Sequence, residues 1–271
     1  MRNHSFLTSD GCRLSYESAG EGLPVVWQHG LAANRRQPAD VFPELQGIRR
    51  ITLECRGHGD SELGDPDRLS IASFTEDVIA FMDHLGVQKA VVGGISMGGA
   101  IALRLAALHP ERTCGLIIAR PAWIDGPSLE TMSPYAAVAQ CIAEFGLKEG
   151  LERFLHSADL EKVQRVSPGN ALSLQAFFAQ ANPENTVQLL SRIAKDAPAV
   201  GGLISTITVP ALIIANDQEF VHPLAYALSL HSKLPRAQLR IVTSKTIDAR
   251  AYREEFALAL REFLLSLEDR S

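Results

Sequence analysis

Apolar positions along the first 120 residues alternate between two periods. Residues 5–9 and 13–18 flank Asp10-Gly11, a hairpin turn signal. Residues 24–28 form a short apolar run that reads as a strand, 41–45 lie in a predicted helix, and 50–53 form the next strand. Phe74, Val78, Phe81, Met82 and Leu85 then recur at helical spacing, with Asp83 and His84 between them. A strand follows at 90–93, an apolar-periodic helix at 101–108, and another strand at 114–119. Strand and helix thus alternate from Val25 to Ala119. That pattern predicts an α/β fold, with a mostly parallel central sheet covered by helices on both faces.

The alternation stops after Trp123. From Ser133 to about Pro198 the spacing is helical throughout, as in Ala137, Cys141 and Phe145, or Leu172, Phe177 and Phe178. Gly146, Ser167-Pro168-Gly169 and Asn182-Pro183 break it into separate helices. Residues 123–199 therefore read as a helical cap inserted between two strands of a core made of 1–122 and 200–271. The sheet resumes at 209–215, followed by a helix at 224–234 and a strand at 239–243. The final helix carries Tyr252, Phe256, Leu260, Phe263, Leu264 and Leu267 on one stripe, as packing on the core requires.

One junction carries chemistry. The strand ending at Gly93 runs into Gly94-Ile95-Ser96-Met97-Gly98, a G-x-S-x-G sequence, and straight into a helix. Glycines let the chain bend sharply there, and the turn lifts the Ser96 hydroxyl toward the helix N-terminus. Backbone N–H groups and the helix dipole favour negative charge at that point.

Composition narrows the function. At 271 residues, 46% hydrophobic and 21% charged, the chain suits one large domain with a substantial core. A net charge of −5 and the lack of any Lys/Arg run argue against nucleic acid. No apolar run approaches the ~20 residues of a membrane span, and residues 1–6 lack the apolar core of a signal peptide. Cys12, Cys55, Cys114 and Cys141 lie far apart with no CxxC. They read as reduced, mostly buried thiols of a cytoplasmic protein. No metal or organic cofactor is implied, since no His/Cys/Asp cluster has ligand spacing.

Three motifs together resemble the α/β-hydrolase superfamily. They are His29-Gly30-Leu31 after an early strand, Glu54-Cys55-Arg56-Gly57-His58-Gly59-Asp60-Ser61, and the Ser96 turn. The resemblance implies Ser96 as nucleophile, with the N–H groups of Met97 and Leu31 as an oxyanion hole. It also implies an acid after the strand that follows the cap, where Glu219 stands at the family's usual position and Asp217 is the nearby competitor. His29 and His58 match loop positions that brace the backbone near such sites. His29, beside the oxyanion loop, is also counted among the substrate contacts. Cys55 is a reactive thiol or a packed loop residue.

The family's histidine should follow the last strand. Here that loop reads Ser244-Lys245-Thr246-Ile247-Asp248, with Thr246 about where the histidine is expected, and no histidine occurs after His231. The catalytic triad therefore reads as incomplete. His222 in the acid loop, Lys245, and a cap residue such as His156 or the substrate itself are the candidate bases, and the remaining alternative is that no base exists. Arg120 directly follows a strand and neighbours Trp123. It is expected to grip an anionic ligand or, alternatively, to pair with a cap carboxylate such as Asp125.

These readings lead to a serine hydrolase of small esters, thioesters or amides, with a non-standard or absent base. The alternatives are a ligand-binding homologue without turnover, or a lyase or isomerase in the same pocket. The expected partner is a small molecule, anionic where Arg120 reaches it.

Overall fold

The computed structural model describes residues 4–268; part of the N-terminal stretch read as lacking a signal peptide, residues 1–3, lies outside them. Among the described residues, eight strands form one sheet: β1 (His4–Leu7), β2 (Arg13–Ala19), β3 (Leu23–Gln28), β4 (Ile48–Leu53), β5 (Ala90–Ile95), β6 (Thr113–Ala119), β7 (Ala211–Ala215) and β8 (Ala237–Ile241). Their spatial order is β1-β2-β4-β3-β5-β6-β7-β8. The first two pairings are antiparallel and the other five parallel. The strand order reverses around β3 and β5, so the loops at their C-terminal ends part and leave a crevice.

The core-side helices are α1 (Arg36–Ala39), α2 (Ile71–His84), α3 (Met97–Leu108), α8 (Leu224–Lys233) and α9 (Ala249–Glu268). Four more lie in sequence between β6 and β7: α4 (Leu129–Leu155), α5 (Ala158–Val166), α6 (Pro168–Gln175) and α7 (Pro183–Ile193). Trp27, Ile117, Leu212 and Ile214 project to one face, where Phe256, Leu260, Phe263 and Leu264 of α9 cover them. Val26, Val92, Leu116 and Ile118 project to the other, under α2, α3 and the inserted helices. Strands buried on both faces explain the continuous apolar runs in the sequence.

The expected breaks fall at element boundaries or kinks. Gly146 adopts φ +72° inside α4 and bends it, a left-handed conformation that glycine tolerates. Pro168 and Pro183 open α6 and α7, each behind a side-chain cap. Two expectations fail. Residues 41–45 are not helical: the helix is α1, which ends at Ala39, and Pro43 has no N–H with which to continue it. The last strand begins two residues earlier than expected, at Ala237.

Buried charge locks the antiparallel edge onto the rest. Arg56, fully buried, meets Asp77 of α2 at 2.7 and 2.9 Å and Asp10 of the β1–β2 turn at 2.7 and 2.8 Å. Each carboxylate receives two guanidinium N–H bonds, the geometry that arginine suits. All four cysteines are unpaired; Cys12 and Cys55 are buried, Cys114 and Cys141 half-buried. Burial pushes the Cys55 thiol far above its ordinary range, which leaves it a packed thiol and not a reactive one. No described helix is long and apolar enough to cross a membrane.

Candidate active site

Ser96 sits between β5 and α3 with φ +55° and ψ −110°. A non-glycine residue there is strained by roughly 1–3 kcal/mol, so its surroundings must impose the conformation. They do so by close approach. A Cβ on Gly94 would lie 2.7 Å from the Gln28 carbonyl oxygen, and one on Gly98 would lie 2.5 Å from it. The Ser96 N–H is anchored to the Ala119 carbonyl of β6 at 2.8 Å. Met97 opens α3, so its N–H has no partner within the helix. Across the crevice, residues 30–33 form a turn closed by the Ala33 N–H on the Gly30 carbonyl at 3.2 Å, with Ala32 at φ +53°. Leu31 occupies that turn and lines the same cavity as Ser96.

The loop after β7 supplies the partners. His222 Nε2 lies 3.0 Å from Ser96 Oγ. His222 Nδ1 lies 3.0 Å from Glu219 Oε2. A carboxylate only accepts, so Nδ1 carries the proton and Nε2 is left to accept from the serine hydroxyl. Glu219 is buried and receives three further donors. Arg120 reaches Oε1 at 2.8 Å, Asn216 Nδ2 reaches Oε1 at 3.3 Å, and Asn170 Nδ2 reaches Oε2 at 2.7 Å.

The charge states follow. Burial alone would raise the Glu219 carboxyl, but Arg120 and then His222 hold it well below the usual carboxylate range. Burial, and next the Arg120 cation 3.3 Å from Nδ1, lower His222 below its ordinary value. The ring is therefore neutral near pH 7, the form that can accept a proton.

Ser96, His222, Glu219, Leu31 and Arg120 thus come together, and Met97 adjoins them. No histidine follows β8, and of the candidate bases named from the sequence it is His222, in the loop after β7, that meets Ser96, at 3.0 Å. Asp217, the competing acid, is exposed. Lys245 and Thr246 are exposed on the loop after β8, and His156 is exposed at the end of α4, bonded to the Glu152 carbonyl. None of the four lines the cavity.

Three substrate-contact expectations also change. Arg120 has Glu219 as its counter-ion, so it presents no bare cation; Asp125 instead accepts from the N–H groups of Val200 and Gly201. Trp123 is buried and borders only a gap behind Ser96 with no room for a water. His29 is fully buried, with Nδ1 on the Gly30 carbonyl and Nε2 accepting from the Cys55 N–H. Both nitrogens hold loop backbone, and the ring does not line the cavity over Ser96. Glu54 has the same bracing role, accepting from Arg35 and from the Asp60 N–H.

Burial lowers His29 to about 4 and His58 to about 3. Between those values and the unfolded value near 6.5, the unfolded chain binds protons that the native chain refuses. Stability therefore falls as pH drops below about 6.5. Two such rings should remove roughly 3–4 kcal/mol between pH 7 and pH 5. Urea unfolding at the two pH values measures this, and a flat profile would show that the rings are not held neutral.

The cavity over Ser96 holds about 230 Å³. Its walls come from Gly30, Leu31, Ala32 and His222 on the core and from Tyr135, Asn170, Ala176 and Phe177 on the inserted helices. Burial pushes the Tyr135 phenol up to about 12, so it is a neutral wall residue. Sequence reasoning missed Tyr135, Asn170 and Asn216. Asn170 follows the Ser167-Pro168-Gly169 break, whose capping pattern is local and says nothing of a partner 49 residues away. A larger open groove of about 850 Å³, between β2, β4 and residues 35–46, contains none of these groups. Among the described residues, no group of three or more His, Cys, Asp or Glu could hold a metal ion.

Comparison with known proteins gives consistent matches. The sequence model of the family described as "alpha/beta hydrolase fold" matches residues 24–137. The 2-hydroxymuconate semialdehyde hydrolase of Pseudomonas putida is 28% identical over 242 residues, 85% of this chain and 83% of that protein. The dihydrolipoyllysine-residue acetyltransferase component of the acetoin cleaving system, also from Pseudomonas putida, is 39% identical over 226 residues, 81% of this chain but 52% of that protein. Among solved structures, a thermophilic esterase from Thermogutta terrifontis superposes with a TM-score of 0.77 at 23% identity, covering 98% of this chain and 99% of that one.

Proposed function

We propose that this chain, which belongs to the α/β-hydrolase superfamily, is a serine hydrolase of small esters, thioesters or amides. Ser96 acts as nucleophile, His222 as base and Glu219 as the acid that orients it. One observation carries the reading: hydrogen bonds run unbroken from Ser96 Oγ through both nitrogens of His222 to a buried, ionised carboxylate.

The chemistry follows from that line. Ser96 Oγ attacks the substrate carbonyl carbon while its proton passes to His222 Nε2. The carbonyl electron pair moves onto oxygen, where the N–H groups of Met97 and Leu31 stabilise the charge. Glu219 stabilises the imidazolium without taking its proton. The intermediate collapses, the leaving group departs with the proton from His222, and an acyl group remains on Ser96. Water then repeats the sequence and releases the acid.

The chain thus takes its base from a Glu219-x-x-His222 loop, three residues from its acid. The inserted helices, residues 123–199, act as a cap and supply one side of the cavity wall through Tyr135, Asn170, Ser173, Ala176 and Phe177. A cavity near 230 Å³ is below the range for drug-sized ligands and suits a short acyl group. Because Glu219 neutralises Arg120, an uncharged substrate fits better than an anion. Four unpaired thiols fit a cytoplasmic location.

A serine-directed fluorophosphonate should add to Ser96, as read by intact mass, and should not add to Ser96→Ala. Hydrolysis of p-nitrophenyl acetate should show an acidic limb in kcat/KM below pH 6.5, because burial and Arg120 both disfavour the imidazolium. Failure to label Ser96 anywhere between pH 6 and 10 would favour the binding protein without turnover.

A further inference from the structure

We infer that Asn170, on the first turn of α6, is a positioning residue that makes the inserted helices part of the catalytic constellation, by holding the Glu219 carboxylate from above. The inference rests on the triad proposed above.

Asn170 is buried, and both ends of its side-chain amide meet the acid loop. Nδ2 donates to Glu219 Oε2 at 2.7 Å, and Oδ1 accepts from the N–H groups of Phe220 and Val221 at 3.0 and 3.2 Å. The oxygen it grips on Glu219 is the one that receives His222 Nδ1–H. Asn170 therefore fixes both the carboxylate and the backbone leading to the base, without touching Ser96.

The anchor itself is stiff. Ser167 Oγ accepts from the Asn170 N–H at 3.2 Å, and Pro168 pre-sets the first turn of α6. The core alone supplies Arg120 and Asn216, and both bind the other oxygen, Oε1. Without Asn170, Oε2 keeps only the histidine, and the N–H groups of Phe220 and Val221 lose their acceptor. The carboxylate can then rotate about the Arg120 contact and pull the ring off the Ser96 line. Titratable and charged groups around the site are Arg120, His222, Tyr135 and Tyr252; Asn170 itself is neutral, so its contribution is orientation.

The test uses Asn170→Ala and the isosteric Asn170→Asp. The aspartate keeps an acceptor for Phe220 and Val221 and, once ionised, replaces the donor to Glu219 with a second acceptor, so kcat is read on the alkaline plateau, where a proton shared between the two carboxyls has been lost. Loss of one charge-assisted bond should lower kcat for p-nitrophenyl acetate and the fluorophosphonate labelling rate by about 10- to 100-fold in each variant. KM should stay within about threefold, and far-UV circular dichroism should be unchanged. If the alanine variant does not fold, the aspartate variant decides. Wild-type kcat in Asn170→Asp would overturn the inference. So would a raised KM with unchanged kcat, which would make Asn170 a substrate contact. His222→Ala serves as reference: full activity in it would defeat the triad itself, while loss there with none in Asn170→Asp would defeat the positioning role alone.

Discussion

His222→Ala should lower kcat for p-nitrophenyl acetate by about 10³-fold or more. General-base assistance is typically worth roughly 10²–10⁴, and removal of a base from an intact triad can cost on the order of 10⁶. Nothing else described can take the proton, because Lys245 and His156 are exposed and away from the cavity. Glu219 would keep Arg120, Asn170 and Asn216 as donors, so the variant should fold. Residual turnover would come from the oxyanion donors and from substrate binding. Because nucleophile and base act as a unit, Ser96→Ala with His222→Ala should be no worse than either alone. Steady-state kinetics on the three variants test this, and a His222→Ala enzyme within tenfold of wild type would end the triad reading.

The fold was legible because its signals are local. A continuous apolar run bounded by turns marks a buried strand wherever it falls, and the stripe from Tyr252 to Leu264 marks α9 without knowledge of its neighbours. The elbow was legible for a related reason: Gly94 and Gly98 record contacts with Gln28 that no Cβ survives. Misreadings arose where local signals conflict. Residues 41–45 have an apolar pattern, but Pro43 overrules it.

The site was only half legible, because its partners lie far apart in the chain. Glu219 and His222 could be placed on one rim of the sheet, but the contact with Ser96 spans 126 residues. Only tertiary structure decides whether a ring three residues from Glu219 can turn onto Ser96. Arg120 shows the same limit. Its position at the end of β6 predicted a charge in the crevice, yet the identity of its counter-ion depends on how the loop after β7 folds. His29 carries the opposite lesson: a rim histidine counted among the substrate contacts is a buried brace, with both ring nitrogens committed to backbone, and His58, read as a brace, holds the Arg56 carbonyl through Nδ1.

Glu219→Gln should be the most damaging conservative change, lowering kcat by about 10⁴-fold, the loss typical when a triad acid becomes an amide. The amide has one acceptor and one donor end, and the site offers donors on both sides. If its oxygen faces Arg120, its NH₂ faces His222, whose Nδ1 must then accept. Nε2 carries the proton in that tautomer and cannot take one from Ser96. If the amide is flipped, its NH₂ points into the Arg120 guanidinium. The cation favours the first arrangement, the inactive one. Arg120 also loses its counter-ion in a buried site, which should cost about 3–5 kcal/mol of stability. The two effects separate in a double variant. Adding Arg120→Met to Glu219→Gln removes the stranded charge and should recover much of the stability without recovering kcat. Urea unfolding and ester kinetics on the single and double variants provide the readout. A Glu219→Gln enzyme within tenfold of wild type would show that the carboxylate does not set the histidine tautomer. Joint recovery of stability and kcat would show that its role is only to neutralise Arg120.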